Sequence, residues 1–193
     1  MTAATFFSLL RPTRSWLQYR LRTMFVLVII AAIPCIWIKW TMDQKRRERV
    51  AVAEIKRMGG YVTYDWQVSA EKEPPGPVWL RTLLGDDFFS SVKVVVIGNH
   101  IVNDDWLVHL EPLSELSVIF VESPHITDAG VRYLTRFTHV AELSLSKTAV
   151  SDSGLVELKR LTRLRKAHIL LTAVTDAGVA ELQKALPNCR IIR

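Results

Sequence analysis

A repeat interval of 24 residues constrains this chain more than any other feature. The tetrapeptide Thr-Asp-Ala-Gly occurs twice, with its aspartates at Asp128 and Asp176. Asp152 lies halfway between them in Ser-Asp-Ser-Gly, and Asp104 precedes Asp128 by the same interval. Apolar columns keep the same register over four units, for example Leu110, Leu134, Leu158 and Leu182. An active-site motif would be used once, so this spacing indicates a structural unit copied along the chain.

Each unit has two halves with different hydrophobic spacing. The first half follows L-x-x-L-x-L, and its alternation predicts a short strand with every second side chain in the core. The second half, T-D-x-G-V-x-x-L, has the spacing of a helix. Thr127, Ser151 and Thr175 fall at the helix N-cap, and the following aspartates fall in the first turn, where the helix dipole favours negative charge. The glycine of each motif is predicted to let adjacent helices pack closely. Thr-Asp-Ala-Gly is therefore interpreted as a helix start, not a catalytic motif.

Residues 23–38 contain no charged side chain. As a helix they would span about 24 Å, and Arg22 and Lys39 could extend the span by reaching toward the headgroups. Trp and Tyr residues flank the segment on both sides, as in the aromatic belts of membrane helices. The sequence predicts a transmembrane helix over residues 23–40, kinked at Pro34. A buried core helix or a secretory signal peptide are the alternatives, although the bulky residues around Cys35 do not match a cleavage site.

The net charge of +6 is unevenly distributed. Residues 1–22 contain four arginines and no acid, and residues 39–57 contain seven Lys/Arg and three acids. Residues 58–193 contain fourteen Lys/Arg against sixteen acids. The basic residues therefore flank the apolar segment, where they can meet anionic lipid headgroups. Membrane lipid is the predicted partner of residues 23–40, and the distribution argues against nucleic-acid binding.

Five regions follow from these patterns. They are a basic N-terminal tail (1–22), the transmembrane helix (23–40), a charged juxtamembrane helix (41–60), an N-terminal cap of the repeats (61–90), and four repeats with a C-terminal end (91–193). Gly59-Gly60 is predicted to end the juxtamembrane helix, and Tyr61–Gln67 is predicted to be a strand. Pro77 is placed to open a short helix that Gly85 closes.

The repeats, with their T-D-A-G and the final GVAELQKALPNC, resemble the 24-residue class of leucine-rich repeats. EPPGPVWLRTLLGDDFF further resembles bacterial membrane-anchored leucine-rich-repeat proteins. The resemblance implies an α/β fold, a leucine-rich-repeat solenoid with a short parallel sheet and convex helices behind one N-terminal transmembrane helix. In one departure, Pro124 stands after the second strand, at a position where the family often has Asn or Thr. The resemblance also favours the repeats on the outer, non-cytoplasmic side, whereas the Lys/Arg count alone favours the inside.

The sequence gives little support for catalysis. Asp86-Asp87 and Asp104-Asp105 are the only adjacent carboxylate pairs, and both are interpreted as flanking helix ends. The five histidines lack the i, i+4 spacing of a helical zinc site, and no glycine-rich phosphate loop occurs. We therefore expect no enzymatic activity, no cofactor and no bound metal.

The candidate binding residues lie between the core positions of the strands, on the predicted concave face. Two columns carry these seven residues: Val94, Val118, Glu142 and Lys166; and Val96, Phe120 and His168, with Ser144 at the column position between Phe120 and His168. The apolar part of this concave face predicts a contact surface for a protein or peptide, with Phe120 as the main anchor. The alternative is that residues 61–67 or a self-contact cover this patch. The predicted function is a non-catalytic, membrane-tethered interaction module; a self-assembling structural component of the cell envelope and an unrecognised enzyme are the alternatives.

Overall fold

The computed structural model describes residues 14–68, 75–85 and 88–193. Contacts divide the chain into two units, one ending at Asp43 and one comprising Gln44–Arg193. The helices are α1 (Arg14–Arg57), α2 (Asp65–Val68), α3 (Val78–Leu84), α4 (Asp128–Leu134), α5 (Asp152–Leu158) and α6 (Asp176–Ala185), with a 3₁₀ helix at Asp105–Leu110. The strands are β1 (Tyr61–Tyr64), β2 (Val92–Ile97), β3 (Val118–Val121), β4 (Glu142–Ser144), β5 (Lys166–His168) and β6 (Arg190–Ile192).

The six strands form one sheet in sequence order. Strands β2 to β6 are parallel, and each residue pairs with the one 24 positions later, as Val94 pairs with Val118 and Val118 with Glu142. The repeat interval therefore fixes the sheet register, and the mixed α/β fold with a mostly parallel sheet agrees with the sequence prediction. Strand β1 pairs antiparallel with β2 at the sheet edge.

The core lies between the sheet and the helices. Its side chains come from the repeated apolar columns, and all are almost completely buried, including Val95, Leu107, Leu116, Ile119, Leu134, Leu143, Leu155, Leu158, Ala167 and Leu182. Each repeat buries these residues against its neighbours, which is how a solenoid forms one continuous core.

Hydrogen bonds connect each helix start to the next. The carboxylate of Asp128 accepts from the backbone N–H of Ser151 at 2.8 Å and from its hydroxyl at 2.6 Å. Asp104 binds Thr127, and Asp152 binds Thr175, in the same way. The Ser and Thr oxygens also accept an N–H within their own helices, as predicted for N-caps. The aspartates thus do more than interact with a helix dipole, because each one fastens the following repeat.

The repeated glycine makes room for this aspartate. A Cβ atom on Gly154 would lie 2.5 Å from Oδ1 of Asp128, and one on Gly130 or Gly178 would overlap the aspartate of the preceding repeat. The glycines thus allow the close approach of neighbouring helices that the sequence predicts, and the atom that approaches most closely is a carboxylate oxygen at the start of the preceding helix. In the first repeat, Trp106 replaces the glycine, and the helix there is a 3₁₀ helix.

Backbone carbonyls near the ends of the strands are satisfied by hydroxyl groups. Thr148 donates to the carbonyl of Leu145 at 2.6 Å, and Thr172 makes the equivalent bond. In the second repeat, where Pro124 has no hydroxyl, the neighbouring Ser123 is buried and donates to the carbonyl of Val102 at 2.6 Å.

The predicted transmembrane and juxtamembrane helices form one continuous helix, α1, which runs through Pro34. In the first unit, the large apolar side chains described between Met24 and Met42 are exposed. By length and composition, the segment Thr23–Arg57 includes a stretch that could cross a membrane, a criterion that a signal sequence also meets. Residues 1–13 of the predicted basic tail lie outside the described residues.

In the second unit, the final part of α1 packs on the core through Ala51, Val52 and Ile55. The helix ends as predicted, because Gly59 adopts a positive φ of 77° and Gly60 donates to the carbonyl of Ile55 at 2.8 Å.

The region predicted to cap the repeats behaves in two ways. Strand β1 is shorter than expected, because Asp65 begins the short helix α2 and its carboxylate accepts the N–H of Trp66 at 2.8 Å. Helix α3 begins after Pro77 and ends at Gly85 as predicted, but Trp79 is 70% exposed and Val78 and Leu83 are similarly open. Asp86-Asp87 lies outside the described residues.

Candidate interaction surface

The sheet has one face packed against the core and one open face. We define the open face by the strand residues that point away from the core, and they form two rows across the sheet. These rows are Thr63, Val94, Val118, Glu142, Lys166 and Arg190; and Tyr61, Val96, Phe120, Ser144, His168 and Ile192. All seven residues predicted for the binding surface lie in these rows and become neighbours.

The half of the open face nearest β1 is mainly apolar. Val94, Val96, Val118 and Phe120 are half-buried, so each still presents surface to solvent. Tyr61 pairs with Val96 and is 61% exposed, and it extends the patch by one strand. The sequence left open that residues 61–67 cover the patch. Residues 61–64 do not cover it, because they form β1, which extends the sheet at its edge.

Phe120 is the central side chain of the open face. Its ring meets the imidazole of His168 edge-on, with centroids 5.9 Å apart. Ser144 occupies the strand position between these two residues and is only 5% exposed. A small side chain at this position lets the two rings meet across it, so Phe120 is held by a neighbour and is also accessible.

The other half of the open face is polar and mixed in charge. Glu142 lies 3.4 Å from the ammonium of Lys166 and 3.2 Å from Nε2 of His168. Arg190 follows Lys166 in the same row and is exposed. The face thus changes from mainly apolar side chains on β1 to β3 to mainly polar and charged side chains on β4 to β6, and the exceptions are Thr63 on β1 and Ile192 on β6.

The sequence-based prediction of this face did not include Tyr61, Thr63, Arg190 and Ile192. Arg190 lies 24 residues after Lys166, so extending the column would have found it. Tyr61 lies outside the repeats, and its position depends on the antiparallel pairing of β1, which the repeat interval does not encode.

The carboxylates considered for chemistry have structural partners. Asp104, one of the adjacent pair Asp104-Asp105, holds Thr127 through both oxygens. Asp176, at the start of α6, pairs with Arg193, whose guanidinium also donates to the carbonyl of Val174 at 3.1 Å. Among the described residues, no cluster of three or more His, Cys, Asp or Glu side chains could hold a metal ion.

Comparison with known proteins gave distant structural likenesses only. No protein-family model matches the chain, and no curated protein matches it. A solved structure of a leucine-rich-repeat protein from Leptospira interrogans is similar at 14% sequence identity and a TM-score of 0.33. The alignment covers 51% of this chain and 29% of that protein, so the chain spans less than a third of the neighbour's length. The repeat class and the membrane-anchored family indicated by the sequence therefore stay predictions.

Proposed function

We propose that this chain is a non-catalytic, membrane-tethered module that binds a protein or peptide on the open face of its sheet. The observation that carries the proposal is the accessible apolar patch formed by Tyr61, Val94, Val96, Val118 and Phe120. A contiguous apolar patch favours binding to a partner, because burying apolar surface lowers the free energy by about 25 cal/mol per Å².

The polar half of the face indicates the character of the partner. Lys166 and His168 share one carboxylate, Glu142, and Arg190 adds a further positive charge to the same row. A peptide that places an apolar side chain near Phe120 and an acidic group toward Arg190 would complement both halves. An aromatic anchor beside a charged rim is a common arrangement at protein interfaces.

The tether is supported by the first part of α1. Its exposed apolar residues from 23 to 40 would be stabilised by hydrocarbon, and the flanking cations suit a headgroup region.

Peptide selection tests the binding surface directly. The full chain in lipid nanodiscs would be screened against displayed random twelve-residue peptides. Two variants would be screened in parallel: Val118→Lys as the test and Val156→Lys as the control. Lysine at 118 would face Glu142 across the strands, a tolerable pair, and Val156 is an exposed valine on α5. We expect enriched peptides that bind wild type and Val156→Lys but lose at least tenfold affinity with Val118→Lys. Enrichment indifferent to Val118 would contradict the proposed site.

Membrane extraction tests the tether. The full chain should remain with membranes after an alkaline carbonate wash, and deletion of residues 1–42 should release it. Release of the full chain by the wash would contradict the tether without affecting the binding surface. Growth in apparent mass with concentration, in the absence of peptide, would instead favour a self-assembling component.

A further inference from the structure

A second surface lies at the edge of the sheet where the strands begin. In the last repeats, the segments before β4, β5 and β6 enclose a depression of about 700 Å³. Its polar lining comes from His139, Thr162, Arg163, Arg165 and Asn188, and no acidic residue takes part. It is separate from the open face, because these residues precede the strands.

The same edge is electrically balanced in the first repeats. Lys93 and Glu115 form an ion pair there at 3.0 Å. The hydrogen bond from Lys93 holds the pKa of Glu115 below its usual value. One repeat interval after Glu115 stands His139, followed by Arg163, so the acid is replaced by cationic or neutral side chains.

Arg163 and Arg165 are exposed and form no ion pair with a carboxylate in the described part of the chain. Other exposed arginines do have such partners, since both Arg132 and Arg160 pair with Glu157. Two guanidiniums at alternate positions repel each other unless an anion lies between or beside them.

The neighbouring side chain leaves space for an anion. The carbonyl of Ala141 accepts from the backbone N–H groups of Arg165 at 2.7 Å and Lys166 at 3.1 Å. Ala141 is therefore next to Arg165, and its methyl group fills little of the depression. At the equivalent position in β2, the long side chain of Lys93 reaches Glu115.

We propose that this depression binds a phosphate group through the guanidiniums of Arg163 and Arg165. Each guanidinium has five N–H donors in a planar arrangement that matches two phosphate oxygens. The Thr162 hydroxyl and the Asn188 amide supply further donors to the remaining oxygens. The phosphate belongs either to a small soluble phosphate or to an anionic lipid headgroup, which offer the same chemistry.

Calorimetric titration with inorganic phosphate tests the site in the full chain, held in phosphatidylcholine nanodiscs at constant ionic strength. The test variant is Arg163→Gln with Arg165→Gln, and the matched control is Arg132→Gln with Arg160→Gln. We expect saturable binding by wild type and the control, and at least tenfold weaker binding by the test variant. Thermal melting would verify that both double variants remain folded.

The two sources of phosphate separate in nanodiscs that contain phosphatidic acid. A lipid headgroup in the site would weaken the apparent affinity for inorganic phosphate, whereas a soluble ligand predicts unchanged affinity. Failure of wild type to bind phosphate saturably would overturn the proposal, as would equal loss in both double variants. If the test variant does not fold, Arg163→Lys with Arg165→Lys retains the charges and should still bind more weakly than wild type, since lysine lacks the planar pair of donors.

Discussion

The helix-start edge and the open face of the sheet are built from the same repeats but use them in opposite ways. At the helix starts, Asp104, Asp128 and Asp152 make the same two bonds to the next repeat. On the open face, the equivalent positions change from Val94 and Val118 to Glu142 and Lys166. A repeated residue that makes a repeated contact is explained by folding alone. A residue that varies while its backbone position is preserved is free to serve a partner, which is why the candidate binding residues lie there.

The largest effect on stability is expected in the core that lies behind both regions. Leu143 is 1% exposed at the centre of the sheet, and Leu143→Ala should lower the free energy of unfolding by about 2 to 5 kcal/mol by leaving a cavity. Val156→Ala, a control at a residue 52% exposed, should change it by at most about 0.5 kcal/mol. Denaturant unfolding of the full chain in micelles measures both. Similar losses at the two positions would show that the repeat register does not define the core.

A single substitution at the helix starts, Gly130→Ala, should have the next largest effect. Gly130→Ala brings a Cβ onto the carboxylate of Asp104, which must move away from Thr127. The expected net loss is about 1 to 3 kcal/mol, since overpacking and a broken hydrogen bond exceed the gain in helix propensity.

The sign of that effect should reverse once the aspartate is removed. In an Asp104→Ala background the contact with the carboxylate is gone, and only Cδ1 of Leu107, which would lie 3.1 Å from the new Cβ at the end of a flexible side chain, has to shift. Gly130→Ala should then stabilise by up to about 1 kcal/mol through helix propensity. A double-mutant cycle by denaturant unfolding measures this coupling. Additive effects would mean that the glycine serves another neighbour.

Acid should weaken the same edge. Thr175 donates two hydrogen bonds to the carboxylate of Asp152, one from its hydroxyl and one from its backbone N–H. These bonds, mainly the one from the hydroxyl, hold the pKa of Asp152 below its ordinary value of 3.8. A depressed folded-state pKa contributes stability that is present above the unfolded-state pKa and is lost as the pH falls through the folded-state pKa. The difference in Tm between wild type and Asp152→Asn should therefore be constant above about pH 5 and shrink at lower pH. A difference that does not change down to about pH 2 would show that the carboxylate charge is not involved.

The repeated part of this fold was predictable because one interval fixes both the core columns and the strand register. Val94, Val118 and Glu142 were placed side by side from spacing alone, and the pairing agrees. The N-cap roles of Thr127, Ser151 and Thr175 followed from local chemistry in the same way.

Contacts between repeats were harder to predict than contacts within one. The bonds from Asp128 to Ser151 join residues 23 positions apart, and nothing in either local motif specifies the partner. Tyr61 reaches the open face through antiparallel pairing outside the repeats. The exposure of Trp79 on α3 was likewise unpredictable, because an apolar sequence indicates a buried helix unless its neighbours are known.

The smallest effect on stability, and the most informative one for function, is expected at Phe120. Its half-buried ring contacts His168 edge-on, a contact that contributes about 0.5 to 1.5 kcal/mol. Phe120→Ala should therefore lower the free energy of unfolding by only about 1 kcal/mol, while selected peptides should bind at least tenfold more weakly. His168→Gln separates the two roles, because it removes the ring contact and leaves the phenyl group available; it should reproduce the stability loss but little of the binding loss. Denaturant unfolding and peptide titration on the same samples give both numbers. If Phe120→Ala unfolds the protein as readily as Leu143→Ala and peptides bind it unchanged, then Phe120 belongs with the repeated core, and the open face loses its anchor.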